Sequence, residues 1–420
     1  MSKIISVTAF TALLTFFKML SGFAIAKVVA IYTGPTGMAM LGQVQSVIAG
    51  LNGVVTAPVG NGVVRYTAEK HTEGYKRCSG WWQASLQWAF SIFLLVLSTV
   101  LLFSKPISQF LFNTIDYYWV VLLGCLVLPL SIINTAFVLL LTDRNTIKKY
   151  VSLGFISVTI STVLMVMMIY FYHIKGAFVA ASLNTSIAGL VVFFACIKEP
   201  WFKVKLWLGR SSSSYRKEIG GYVVMAVTSA ITTPIALILI RNILISEVGW
   251  SATGQWQAVW KISEVYLAII TMALSTYYLP QLASLKSGVE IRWEINKTAR
   301  VILPVVIILA LLVYLLRDVA IFLLFTSDFQ PARDLFSVQL VGDVIKILAW
   351  LYAFPMLARG ATRWFVFSEI FFSTTFVLIS WIMISHLGVN GANWGYLLNY
   401  ILYFIFVYGN LKRIINQDRQ

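Results

Sequence analysis

Five basic residues, Lys18, Lys27, Arg65, Lys261 and Lys346, interrupt stretches of sequence that are otherwise almost wholly apolar, and three acids, Glu264, Asp343 and Glu369, do the same. Their neighbours recur at helical spacing. Gln339, Asp343, Lys346 and Trp350 fall at i, i+4, i+7 and i+11, and Gln257, Lys261 and Glu264 at i, i+4 and i+7. Thr11, Thr15, Lys18 and Gly22 follow the same rule. Each set makes one polar stripe on a helix that is apolar elsewhere. A lysine offers a mobile point charge and an arginine a planar fork, and both suit a diphosphate. Lys18, Arg65, Lys261 and Lys346 are therefore candidate ligands for an anionic headgroup. Gln257, Gln339 and Trp350 stand beside them for polar and stacking contacts, as do Trp256, Trp260 and Tyr266. Glu264, Asp343 and Glu369 are candidates for setting the local potential or carrying a coupling proton. A plainer alternative is that Lys261–Glu264 and Asp343–Lys346, each three residues apart, merely neutralise one another, and that Glu369 pairs with Arg363 or Arg359. Lys18, with no acid within four residues, favours the cationic site. Lys27 lies near the outer end of its helix, within reach of the interface.

The elements that must position these residues follow from composition. Of 420 residues, 59% are hydrophobic and 11% charged, with a mean hydropathy of +0.83. Soluble domains carry about 25% charged residues, so the solvent for this chain is lipid. A charge at the bilayer centre costs about 2.5–3.5 kcal/mol on insertion scales, so the buried cations must face protein or water. The sequence predicts twelve spans, at 5–32, 37–66, 81–104, 117–141, 149–172, 176–197, 217–243, 252–279, 297–316, 335–358, 363–386 and 390–411. Gly34-Pro35-Thr36-Gly37 supplies turn chemistry after the first. The first span is too long for a signal-peptide core and is expected to be retained. Pro58, Pro129, Pro234, Pro304 and Pro355 fall inside spans as expected kinks. With the N-terminus inside, the inner connections hold most lysines and arginines, and only Lys105, Lys175, Arg241, Arg317 and Arg333 mark the outer ends. The positive-inside rule thus gives N-in and C-in, and it accounts for the net charge of +16 without nucleic acid.

An internal repeat is visible. Gly42-Gln43-Val44-Gln45-Ser46-Val47 returns as Gly254-Gln255-Trp256-Gln257-Ala258-Val259, an offset of 212. The same offset carries Lys105, Phe110, Leu111, Thr114, Asp116 and Tyr117 onto Arg317, Phe322, Leu323, Thr326, Asp328 and Phe329. The expected fold is all-α, two pseudo-symmetric six-helix bundles. These are residues 1–200 and 217–420, joined by a basic inner linker at 201–216, with a substrate site between the halves. Cys78, Cys125 and Cys196 show no paired spacing and read as packing residues, with no metal site. No Gly-rich phosphate loop ending in Lys-Ser or Lys-Thr occurs, so the chain itself is not expected to hydrolyse ATP.

The stretch from Leu316 to Ile370 resembles Wzx-type lipid-linked oligosaccharide flippases. Leu316-Arg317-Asp318-Val319-Ala320-Ile321 and Arg333-Asp334-Leu335-Phe336-Ser337-Val338-Gln339-Leu340-Val341-Gly342-Asp343-Val344-Ile345-Lys346 carry the likeness. Gly60-Asn61-Gly62-Val63-Val64-Arg65-Tyr66 and Gly254-Gln255-Trp256-Gln257 share it. The similarity runs over nearly the whole chain and is nearest the branch with the enterobacterial common antigen and O-antigen flippases. It implies the multidrug/oligosaccharidyl-lipid/polysaccharide exporter superfamily, a MATE-like fold and a multi-pass place in the bacterial inner membrane. It also implies movement of an undecaprenyl-diphosphate-linked repeat unit outward, with Arg65, Asp343 and Lys346 carried over by position. The expected partners are that glycan lipid, the bilayer, and a glycan polymerase with its chain-length regulator. The chain is expected to act as a monomer, with no cofactor and with coupling to a proton or sodium gradient. A drug or cation antiporter of the same superfamily is the first alternative, but cations outnumber acids within the spans. A membrane glycan polymerase or ligase is the second; it needs a sizeable extramembrane loop or an acid pair, and the longest connection, 198–217, contains Glu199 alone.

Overall fold

In the computed structural model, residues 2–70, 75–141, 147–209, 211–285 and 287–416 are described. Of these, 2–10, 61–66, 68–70, 139, 147, 218 and 221–222 are described by their backbone alone. The chain is helical, with no strand among the described residues. In order the helices are α1 (Ser2–Lys70), α2 (Tyr75–Phe112), α3 (Tyr118–Leu126), α4 (Leu128–Leu140) and α5 (Ile147–Cys196). There follow α6 (Val204–Trp207), α7 (Ser213–Ala273), α8 (Leu279–Ser284) and α9 (Gly288–Leu315). The last are α10 (Arg317–Leu324), α11 (Phe336–Arg359), α12 (Thr362–Leu387) and α13 (Val389–Ile415).

Eight helical stretches among the described residues are long and apolar enough to cross a membrane. Three of them fold at a single residue and hold two spans each. α1 turns at Gly34 (φ 62°, ψ −167°), α5 at His173 (φ 49°, ψ −127°) and α7 at Gly249 (φ 84°, ψ 172°). With α13, the count among the described residues reaches the twelve spans predicted from hydropathy. Large apolar side chains such as Leu95 (69% exposed), Leu102 (77%) and Phe322 (75%) cover the outer faces, the inverse of a water-soluble surface. Every spanning segment being helical, backbone polar groups are satisfied without water. The prolines act unequally. Pro129 stands at the start of α4, where the fourth span breaks at Val127, whereas Pro234, Pro304 and Pro355 lie within continuous helices. A capping box of Ser287 and Glu290 opens α9, and Gly360 in the left-handed region closes α11.

The chain divides into two compact units, residues 1–32 with 41–235, and 33–40 with 236–420. Within them the repeat is geometrical as well as chemical. The repeated glutamines both donate to a carbonyl of the later repeated stretch, though in different registers, Gln43 to Leu111 at 3.5 Å in the first unit and Gln255 to Asp328 at 2.7 Å in the second. The Thr114 and Thr326 hydroxyls donate to Asp116 and Asp328 at 2.8 and 3.5 Å. A second register, offset by 215, relates the turns. Gly34 matches Gly249, and His173 matches Gly388 (φ 58°, ψ −136°). Just beyond, a methyl at Gly176 would stand 1.8 Å from the Met168 carbonyl oxygen, and one at Gly391 2.2 Å from that of Met383. Both hairpins are therefore closed by a glycine laid against the backbone of the preceding span. Lys149 pairs with Glu199 across the two ends of the α5 hairpin.

His173 holds a backbone conformation that side chains rarely adopt, and its counterpart is a glycine. The substitution His173→Gly is expected to raise thermal stability by about 1 kcal/mol or more through relief of that strain. Thermal unfolding in detergent checks this; an unchanged or lower midpoint would count against strain at the turn. Cys78, Cys125 and Cys196 are all fully buried, with no disulfide among the described residues.

Candidate functional site

The polar stripes of the seventh-to-eighth and tenth spans meet inside the second unit. α11 carries Gln339, Asp343, Lys346 and Trp350, the second arm of α7 carries Gln257, Trp260, Lys261, Glu264 and Tyr266, and α13 adds Tyr396 and Tyr400. α11 packs mainly on α13, and Gly342 makes that approach close, since a methyl there would lie 2.5 Å from the Tyr396 ring.

Asp343 is completely buried and fully engaged. The Tyr266 hydroxyl donates to its Oδ2 at 2.7 Å, the Tyr396 hydroxyl to its Oδ1 at 2.8 Å, and the Gln339 amide to Oδ1 at 3.2 Å. Three donors on two oxygens is the pattern an acceptor-only carboxylate takes. Lys346, three residues on, does not join it. Among the described residues no carboxylate makes an ion pair with Lys346. Its ammonium instead faces four rings, with Nζ 4.9 Å from the centroid of Trp350, 5.6 Å from Tyr400, 5.7 Å from Tyr396 and 5.9 Å from Trp260. These are cation–π distances.

Lys261 behaves differently. Its ammonium reaches Glu264 Oε2 at 3.1 Å, and Trp260 Nε1 donates to the other oxygen of Glu264 at 3.1 Å. Of the two pairs spaced three residues apart, Lys261–Glu264 forms and Asp343–Lys346 does not. Trp260 thereby joins the two halves of the site, its ring under Lys346 and its N–H on Glu264. Glu264 remains exposed and Lys346 partly so, whereas Gln257 and Gln339 are buried.

Arg241, counted among the outer-end cations, is packed inside protein and not in water. Its side chain is 2% exposed, Nε donates to Gln257 Oε1 at 2.8 Å, and the guanidinium lies 5.8 Å from the Trp256 ring. A fork held by an amide and an aromatic face is how arginine is best accommodated away from water. Trp256 is itself fully buried against Trp260, with centroids 5.2 Å apart. Lys18 is exposed on the first arm of α1, in the first unit. Arg65 belongs to α1 too, and its side chain lies outside the described residues. Glu369 is half-buried on α12. Tyr396 and Tyr400 were not anticipated, because an aromatic residue in an apolar helix carries no charge to betray it.

A lipid III flippase of Escherichia coli (strain K12) is 30% identical to this chain over 407 residues, covering 94% of each. The chain belongs to this flippase family. A lipid III flippase of Shigella flexneri matches to the same extent. Among solved structures, the inward-facing conformation of a multidrug resistance MATE family transporter of the MOP superfamily has a TM-score of 0.77 at 13% identity, covering 94% of this chain and 95% of that one. A MOP superfamily transporter from Pyrococcus furiosus Vc1 (DSM3638) gives 0.66 at 14%, covering 96% of each. At such identities the likeness establishes the fold, which for this flippase-family chain is the MATE-type one. No family model matches the chain. Family and apolar helices together make it a multi-pass protein of the bacterial inner membrane.

Proposed function

We propose that this chain moves an undecaprenyl-diphosphate-linked oligosaccharide repeat unit from the cytoplasmic to the periplasmic leaflet by alternating access. The reading rests on kinship to lipid III flippases over nearly the whole chain. The observation that carries it to a site is Lys346, an intramembrane cation without an acid in ion-pair contact among the described residues. A drug or organic-cation pump would place carboxylates where the ligand binds, and here the buried Asp343 carboxylate already accepts from Tyr266, Tyr396 and Gln339. The headgroup is held by Lys346 and Lys261, and Lys18 and Arg65 are the further candidate cations that the sequence offers. Gln257, Gln339 and Trp350 belong to the same site, the two glutamines as the inner support for the charged groups and Trp350 as a sugar-stacking surface. The polyprenyl tail stays in lipid.

Strong binding alone moves nothing, so the inward and outward states must hold the headgroup with different affinity. Glu264, Asp343 and Glu369 are the acids through which a proton or sodium gradient would reset that difference. The termini face the cytoplasm, and the chain works as a monomer that hands its product to a glycan polymerase and chain-length regulator. Deletion of the gene is expected to trap lipid-linked repeat units on the cytoplasmic side. In complementation, Lys18→Ala, Lys261→Ala and Lys346→Ala each are expected to insert normally and to lower export at least tenfold. Full export by all three variants would remove the cationic site from the mechanism.

A further inference from the structure

Resting on the reading that Lys346 binds the diphosphate, we infer that the four-ring cage is what makes this lysine available to it. The rings of Trp260, Trp350, Tyr396 and Tyr400 hold the ammonium away from Asp343 in a pre-formed anion subsite. Asp343 and Lys346 are three residues apart on α11, a spacing at which an acid and a base ordinarily pair. Both oxygens of Asp343 are already taken by Tyr266, Tyr396 and Gln339. Tyr396 acts twice, its hydroxyl on Asp343 and its ring 5.7 Å from the ammonium. It is the spacer between the two charges.

The cage does not depend on the lysine for its shape. Trp260 is fixed by its bond to Glu264 and meets Tyr396 edge-on at 5.2 Å, and Tyr396 meets Tyr400 edge-on at 4.9 Å. Trp260 and Tyr396 are buried, at 6% and 1% exposure, whereas Trp350 and Tyr400 are partly exposed. The cage is thus closed on one side and open on the other. An anion arriving from the open side meets a cation whose remaining faces stay on the rings, and no ion pair has to be broken first. Stripping the rings away would let Lys346 fall onto Asp343, and the anion would then compete with an internal carboxylate. Pre-organisation of this kind appears as affinity. Trp260, Tyr396 and Tyr400 are therefore positioning residues, acting through Lys346.

The test is titration of purified full-length protein in detergent with farnesyl diphosphate, with inorganic pyrophosphate as competitor. Lys346→Ala is expected to weaken binding at least tenfold. Tyr400→Leu is expected to weaken it about tenfold, and Tyr400→Phe, which keeps the ring, by less than twofold. Adding Asp343→Asn to Tyr400→Leu should bring affinity back to within about threefold of the original. Site-specific fluorination of Trp350 keeps shape and folding while draining the ring of its negative face, and affinity should fall stepwise with each fluorine. Wild-type affinity in Lys346→Ala would overturn the headgroup assignment itself. With Lys346→Ala weak, the cage alone is overturned by full affinity in Tyr400→Leu, by equal loss in Tyr400→Phe, by failure of Asp343→Asn to restore binding, or by indifference to fluorination.

Discussion

Asp343→Ala is expected to lower the stability of the protein by about 3–5 kcal/mol, the cost of removing one member of a buried charged network. Three donors converge on this carboxylate, from Tyr266, Tyr396 and Gln339. Alanine leaves two hydroxyls and an amide buried without their acceptor, each such group costing about 1–3 kcal/mol. It also leaves the nearby Lys346 charge with aromatic faces as its main compensation. Asparagine keeps one acceptor oxygen and nearly the same volume, so Asp343→Asn should lose roughly half as much. Tyr266→Phe and Tyr396→Phe should each lose about 1.5–3 kcal/mol, as hydrogen bonds to a charged group do. Thermal unfolding of detergent-solubilised protein orders these variants. Wild-type stability in Asp343→Ala would mean that the network is idle in the fold.

An equally large loss is expected from Gly176→Ala and Gly391→Ala. A methyl at either position would stand 1.8 or 2.2 Å from a backbone carbonyl oxygen of the preceding span. No rotamer change moves a carbonyl, so the two arms of the hairpin must part. Overpacking costs typically 1–3 kcal/mol and more where backbone shifts, which makes about 3 kcal/mol the expected loss at each site. Because the two glycines occupy equivalent turns, the two variants should behave alike and the double variant should not accumulate in the membrane. Gly60→Ala and Gly220→Ala, where a methyl meets nothing within 4 Å, are the matched controls. Normal yield from Gly176→Ala with a shifted control would invert the expectation.

Much of this was legible in the residues. Hydropathy predicted the spans, including those that share one continuous helix, and turn chemistry marked the first break at Gly34-Pro35-Thr36-Gly37 but not those at His173 and Gly249. The repeat at offset 212 was legible where side chains repeat. The register at offset 215 was not, since His173 and Gly388 share a conformation and no chemistry. Helical periodicity put Gln339, Asp343, Lys346 and Trp350 on one face correctly. It could not say which of two neighbours would take the charge, because Tyr396 and Tyr400 arrive from a helix some fifty residues later. The partners of Arg241 were hidden for a related reason. A basic residue near a span end ordinarily points to water, and only tertiary packing reveals that Gln257 and Trp256 are waiting for it.

The sealed interior places of Cys78, Cys125 and Cys196 have a practical side. A membrane-impermeant maleimide finds no native thiol to label. A single reporter cysteine at an exposed position such as Ser213 or Ser251 therefore reports on a silent background, with the natural three left in place. Sidedness of the termini and opening of either arm during turnover can be followed in the intact cell without first building a cysteine-free chain.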